Sequence, residues 1–296
     1  MSVVTLTPKA TAAHRTSPTF LVVDPHHFDV SYAINPWMQP KVWDAAPQRF
    51  KKASRDAFSD LTQALEAAGA HVEIMTGFPG APDLVFPANA GVVLDGRAVL
   101  SRFRHPQRQV EEEINRVGFE ALKARGLVSE VIQLEAGYHE GAGDFIWDPI
   151  RSLFWAGFGP RSDLTGTEAM ARQFGKPTIQ LELATDRFYH LDTCFCVLSG
   201  GEILYYPPAF TADALDALRN TVAADLLIEA SDADATRFCV NAVCIDRTVI
   251  MAKAEDRLRS VLAERGYSPS EVDLAPFILS GGGAYCMTLR LDRKSF

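Results

Sequence analysis

Four times along the chain a short polar loop gives way to an apolar run, a tight turn and a second apolar run. PANA precedes GVVL, DGR and AVLSRF at 87–103, and EGAGD precedes FIW, DPIR and SLFWAG at 140–157. YHLDT precedes CFCVL, SGG and EILYY at 189–206, and CVN precedes AVCI, DRT and VIMA at 239–252. Runs rich in Val, Ile, Phe and Tyr, broken by Asp-Gly, Asp-Pro, Ser-Gly-Gly or Asp-Arg-Thr, predict β-hairpins. A fifth loop, SGGGAYC at 280–286, opens one strand, MTLRLD, and TFLVVD at 19–24 is free to pair with it. That pairing sets the two ends side by side and closes the repeats into a ring.

Helical stretches lie between the hairpins, at 47–68, 110–124, 165–174, 211–223 and 254–264, and Gly69, Gly126, Gly175 and Gly266 stand at or near their ends. Thr165 and Thr211 are placed to N-cap two of them. Each helix leads into a further apolar segment: HVEIM (71–75), VIQL (131–134), TIQLEL (178–183), DLLIEA (225–230) and EVDLAP (271–276). The chain thus reads as five units of hairpin, helix and strand, each of roughly 45–50 residues. An open parallel α/β sheet would not need the hairpins, so the expected fold is α/β, with the five repeats closed into one ring. Residues 1–17, small and polar, are expected to be a mobile lead-in, and 18–296 a single catalytic domain.

Charge and composition narrow the partners. The chain has 29 basic and 37 acidic residues, a net charge of −8, which argues against broad binding to nucleic acid or to an anionic membrane. No apolar run approaches the ~20 residues that span a bilayer, and the N-terminus lacks the apolar segment of a secretory signal. The five cysteines, Cys194, Cys196, Cys239, Cys244 and Cys286, form no disulfide framework and point to reduced thiols and a cytoplasmic protein. Cys194 and Cys196 alternate along one strand and read as packing, since free cysteine behaves as a small hydrophobe. His26 and His27, beside Asp24 and Asp29, are not read as a metal site.

The chemistry gathers in the loops. Just before the first strand of each unit stand Asn89, Glu140 with Asp144, His190 with Asp192, Asn241, and Cys286. Rotation about a common axis would bring these loops together, putting a Cys, a His and several carboxylates in one pocket. Cys with His suits nucleophilic catalysis. Two or more acids with Asn89 and Asn35 suit a planar group rich in N–H donors, a guanidinium or ureido group rather than a peptide. Asn241 finds no chemical partner at this stage and is read as a turn residue.

The segments FDVSYAINPWM (28–38), FPANAG (86–91), EGAGD (140–144), FYHLDTCF (188–195) and GGGAYCMTLR (281–290) resemble the guanidine-modifying pentein superfamily. That superfamily includes arginine deiminases, dimethylarginine dimethylaminohydrolases and glycine amidinotransferases. The motifs are most similar to those of the arginine dihydrolase domain of cyanobacteria, and the likeness runs over 19–292. It implies the five-bladed propeller and a hydrolase acting on arginine-type guanidino substrates with no metal or other cofactor. Residue by residue, it implies Cys286 as nucleophile, His190 as general acid and base, and Glu140 as the carboxylate that meets both the guanidinium and the imidazole. It further implies Asp192 as a second acid on the substrate, and Arg108 and Arg161 as ligands of its α-carboxylate. Asn35 and Asn89 match the dihydrolases, whereas deiminases carry Asp at the Asn89 position. The expected reaction is arginine to ornithine, ammonia and carbon dioxide. A single-cycle hydrolysis to citrulline, or amidino transfer, stays open. The expected partner is a small molecule; a homo-oligomer is compatible with everything above.

Overall fold

Asp95 and Gly96 take φ of +56° and +81°, the left-handed pair that a two-residue hairpin turn requires. They fold Gly91–Leu94 antiparallel onto Arg97–Leu100. The computed structural model describes residues 6–7 and 17–295, and the same unit recurs through it. Phe145–Asp148 pairs with Leu153–Phe158, Phe195–Val197 with Ile203–Tyr205, and Val243–Ile245 with Thr248–Met251, all antiparallel. The second strand of each hairpin is then flanked, in parallel, by a strand that returns after a helix. These third strands are Glu130–Gln133, Thr178–Glu182, Leu227–Glu229 and Ser268–Glu271. The returning helices are Pro106–Ala124, Leu164–Phe174, Ala212–Thr221 and Asp256–Glu264.

The fifth blade is made by both ends of the chain. Leu289–Arg290 lies antiparallel to Thr19–Val23, and Thr19–Val23 pairs in parallel with His71–Met75 after the helix Pro47–Ala67. The architecture is the expected α/β propeller of five blades. Of the lead-in expected over 1–17, residues 1–5 and 8–16 lie outside the described residues, and Leu6–Thr7 pairs with Ile74 and Met75.

Two local expectations are corrected. The helix expected to start at Thr165 is capped by Asp163, whose carboxylate accepts from the Gly166 N–H at 2.8 Å, so Thr165 lies inside the helix. Thr211 does cap its own helix, accepting from Ala214. The last third strand is Ser268–Glu271 rather than 271–276. It is polar because it is an outer strand, and Pro276 instead enters a short helix, Ala275–Ile278, where its missing N–H costs nothing.

The first strands carry the burial. Every residue of Gly91–Leu94 and Phe145–Asp148 is buried, which explains their continuous rather than alternating apolar character. The core is a ring of packings between neighbouring blades. One cluster joins Val99 to Phe145 and Phe154, and another joins Trp155 to Phe195, Tyr205 and Met251. A third seats Leu61 and Leu65 of the first long helix on Phe20 and Val22.

Asp148, fully buried in the second hairpin, accepts from the N–H groups of Ile150 and Arg151, from the Arg151 guanidinium at 2.8 Å and from the Trp155 indole at 3.0 Å. Asp148→Ala leaves these donors without an acceptor. It should lower stability by about 3 kcal/mol, read as a fall in the urea midpoint at unchanged slope; a loss below ~1 kcal/mol would mean that water replaces the carboxylate.

Candidate active site

The loops that open the first strands meet on the axis of the ring. Three contain single tight turns, Pro87–Ala90, Gly141–Gly143 and Leu191–Thr193. Gly143 shows how close they come. A Cβ there would stand 2.4 Å from Asn89 Nδ2 and 3.4 Å from His190 Nδ1, so only glycine lets the first, second and third units touch.

The structure brings together Cys286, His190, Glu140, Asp192 and Asn89, with none of the five more than 2% exposed. Cys286 Sγ donates to Asp192 Oδ2 at 3.2 Å and accepts from Asn241 Nδ2 at 3.1 Å. The Asn241 oxygen also accepts from the Cys286 backbone N–H at 3.1 Å. Asn241 is therefore no mere turn residue: its amide grips the Cys286 loop through both its nitrogen and its oxygen. Its signal in the sequence was its loop position, equivalent to that of the other candidates, but a single amide has no partner until the fold supplies one.

His190 Nε2 lies 2.9 Å from Glu140 Oε2, and the same oxygen accepts from Arg161 Nη1 at 2.8 Å. Burial disfavours the Glu140 charge, but Arg161, His190 and Arg108 overcome it and hold the carboxyl well below the usual range. Burial also lowers His190 to about 4 against the pull of Glu140, and raises Asp192 to about 7. Burial, then the Asp192 charge, pushes the Cys286 thiol well above its ordinary value. The resting site thus pairs a neutral thiol with a neutral imidazole, each tied to a different acid. Asp144 braces the loops rather than facing the thiol: it accepts from Ser162 Oγ at 2.6 Å and from the Leu191 N–H at 2.9 Å.

Three buried atoms here have no hydrogen-bond partner: Glu140 Oε1, Asp192 Oδ1 and His190 Nδ1. Two are carboxyl oxygens, acceptors when the group is ionised. An N–H group brought beside the ionised carboxylates would find an acceptor there.

The two arginines part company. Arg161 lines a vestibule together with Ile34, Asn35, His105, Asp186 and Tyr189, and its guanidinium lies over the Tyr189 ring at 4.6 Å. Arg108 lies inside. It is held in two-point contact by Glu111 at 2.8 Å, donates to the Asp83 carbonyl at 3.1 Å, and donates to Asn89 Oδ1 at 2.8 Å. The expected pair of α-carboxylate ligands is thus split, and only Arg161 faces the vestibule. Glu111 escaped the sequence reading, although Arg108 and Glu111 stand at i,i+3 on one helix, a pairing distance.

Asn35 is at the mouth, not the centre. Its amide donates to the Ser280 carbonyl at 3.1 Å and accepts from the Trp37 and Met38 N–H groups, fastening the 28–38 loop to the glycine loop that carries Cys286. No group of three or more His, Cys, Asp or Glu placed to hold a metal occurs among the described residues.

The sequence profile of the N,N dimethylarginine dimethylhydrolase family, eukaryotic, matches residues 24–293. The chain belongs to this family. It is 38% identical over 271 residues to the bifunctional arginine dihydrolase/ornithine cyclodeaminase ArgZ of Synechocystis, covering 92% of this chain and 37% of that protein. The corresponding AgrE protein of Nostoc is 39% identical over 275 residues, with the same coverage. The chain thus spans just over a third of the length of these relatives. An N(G),N(G)-dimethylarginine dimethylaminohydrolase of Mycobacterium tuberculosis is 33% identical over 94% of this chain and 88% of its own length. Among solved structures, the substrate-bound N-terminal domain of ArgZ superimposes with a TM-score of 0.86 at 35% identity, covering 95% of this chain and all of that one. A dimethylarginine dimethylaminohydrolase adduct with S-methyl-L-thiocitrulline, at 19% identity and a TM-score of 0.73, shares the fold.

The neutral resting thiol sets an expectation. Iodoacetamide should alkylate Cys286 slowly at pH 7 and faster as the pH rises and thiolate forms. A positively charged haloacetamidine of similar size should outpace it at pH 7 by at least about tenfold, since its charge favours the thiolate beside it. Peptide mass mapping reads both rates, and equal rates at Cys286 would remove this electrostatic account.

Proposed function

We propose that this chain is a cysteine-dependent hydrolase of arginine that carries the reaction through two cycles, to ornithine, two ammonia molecules and carbon dioxide. The observation that carries the reading is the set of open buried acceptors, Glu140 Oε1 and Asp192 Oδ1, beside the Cys286 thiol. A guanidinium supplies N–H groups to both and a planar carbon to the sulfur.

In this reading Arg161 exchanges its bond to Glu140 for the substrate α-carboxylate. The guanidinium donates to Glu140 and Asp192, and its positive charge favours ionisation of Cys286, whose proton passes to His190. The thiolate adds to the guanidino carbon; the C–N bond to a terminal nitrogen breaks, and His190 gives its proton to the departing ammonia. His190 then takes a proton from water as it adds to the thiouronium carbon. The C–S bond breaks, releasing citrulline and restoring the thiolate. A second addition of the thiolate to the ureido carbon, followed by hydrolysis, releases the second ammonia and carbon dioxide.

Asn89 supports the second cycle. Arg108 holds its oxygen, and its nitrogen donates to the Glu140 carbonyl at 3.3 Å on the Gly143 and His190 side. The amide therefore shows N–H to the site, which a ureido oxygen accepts and an ionised carboxylate would not supply. Similarity to the ArgZ and AgrE dihydrolases points the same way. The second reading, one cycle ending at citrulline, draws on the dimethylarginine hydrolase profile and on the mycobacterial relative. We read 18–296 as one catalytic domain that needs no cofactor, and the five free thiols support a cytoplasmic setting.

Chromatography of the products from arginine decides between the readings. Ornithine is expected from the wild type, and no turnover from Cys286→Ser, which cannot form the thiolate. Asn89→Asp should slow the second cycle about 5- to 150-fold, so that citrulline accumulates. Citrulline as the sole wild-type product would leave a single-cycle enzyme, and undiminished ornithine from Asn89→Asp would take the amide out of the explanation.

A further inference from the structure

The inner groups account for one end of an arginine, and Arg161 for the carboxylate at the other. Nothing so far meets the α-ammonium. The vestibule outside Arg161 has a single carboxylate in its lining, Asp186. Asp186 is exposed and makes no ion pair among the described residues.

Its position is fixed by its neighbours. Thr185 Oγ1 accepts from the N–H groups of Arg187 and Phe188, at 3.1 and 3.4 Å, a hydroxyl-stabilised turn with Asp186 at its tip. Arg187, the cation next in the chain, is engaged elsewhere. Its guanidinium donates to Thr236 Oγ1 at 2.6 Å, stacks over Trp37 at 5.1 Å and lies 3.9 Å from Asp232, and its carbonyl accepts from the Trp37 indole. The turn is anchored, and the Asp186 charge is left to face the vestibule.

A cavity wall with one guanidinium and one uncompensated carboxylate matches a zwitterion whose two charges sit on a single carbon. We propose that Asp186 is a specificity-determining residue that binds the α-ammonium of the substrate while Arg161 holds its α-carboxylate. This rests on the arginine-hydrolase reading above and extends it: the vestibule selects guanidino compounds that are also α-amino acids. Asp186 lines the vestibule, whereas Cys286 and His190 are not part of its lining, so it acts on binding and not on the chemical step.

The test compares L-arginine with 5-guanidinopentanoate, which keeps the carboxylate and guanidinium and lacks the α-amino group. Arginine is assayed as substrate, and 5-guanidinopentanoate as a competitive inhibitor of arginine turnover, in the wild type, Asp186→Asn and Asp186→Glu. Asp186→Asn should raise KM for arginine about tenfold, as expected for loss of a charge-assisted contact, with kcat within twofold. The inhibition constant of 5-guanidinopentanoate should not change, and Asp186→Glu should recover most of the arginine KM. If Asp186→Asn leaves the arginine KM unchanged, or weakens both compounds equally, the ammonium assignment falls while the hydrolase reading stands. If the wild type turns over no arginine, the hydrolase reading fails and takes this assignment with it.

Discussion

A carboxylate without any solvent contact sits at the centre of this protein. Glu140 shares one oxygen between Arg161 and His190 and turns the other toward open space. An isolated charge could not survive such burial; it is tolerated because Arg161, His190 and the more distant Arg108 surround it. Each neighbour belongs to a different part of the ring, so the Glu140 charge holds together the first, second and third units. The same charge keeps the imidazole oriented and gives Arg161 a resting place until something else claims it. Fold and chemistry depend on one interaction here, because a buried charge needs all of its partners or none.

The resting site differs from a preformed thiolate–imidazolium pair. Cys286 is bonded to Asp192 and Asn241, and His190 to Glu140. Burial, then the Asp192 charge, opposes a negative sulfur and disfavours the thiolate that would attack a neutral electrophile. A cation in the same space offsets the Asp192 charge and favours the thiolate. A positively charged electrophile is then favoured over a neutral one at Cys286, and adventitious oxidation of the thiol is suppressed by the same arrangement.

Much of this was legible in the sequence, and the boundary is a physical one. Hairpin turns are local, so Asp95-Gly96 and the apolar runs beside it announced each blade. The order of the loop residues followed from the repeat, and Cys286, His190, Glu140, Asp192 and Asn89 could be grouped before any contact was known. Partnerships between loops could not be read in this way. Asn241 depends on Cys286, 45 positions away, and Arg161 chooses Glu140 only once the second blade is built. Arg108 shows the opposite failure. Its partner Glu111 is one helical turn away, but an i,i+3 pair is usually a solvated one, and only burial turned it into a fixed part of the site. Asp186 carried no signal, because a lone exposed acid in a turn is unremarkable until the cavity beside it is seen.

The strand pairing that closes the ring has a consequence for how the molecule is made. Leu289–Arg290 pairs with Thr19–Val23, so the fifth blade joins residues from opposite ends of the chain. On a ribosome that emits about 5–20 residues per second, the strand Thr19–Val23 waits with one edge unpaired until its partner, about 265 residues further along, has been made. An exposed apolar edge of that kind is a template for association with other chains, and the late, long-range closure makes folding slow. Cys286 lies three residues before the closing strand, so its place in the site is fixed only when that strand pairs. A thiol not yet held against Asp192 and Asn241 lacks the restraint that those contacts impose, so the growing chain carries Cys286 as an ordinary thiol, open to modification before the ring closes.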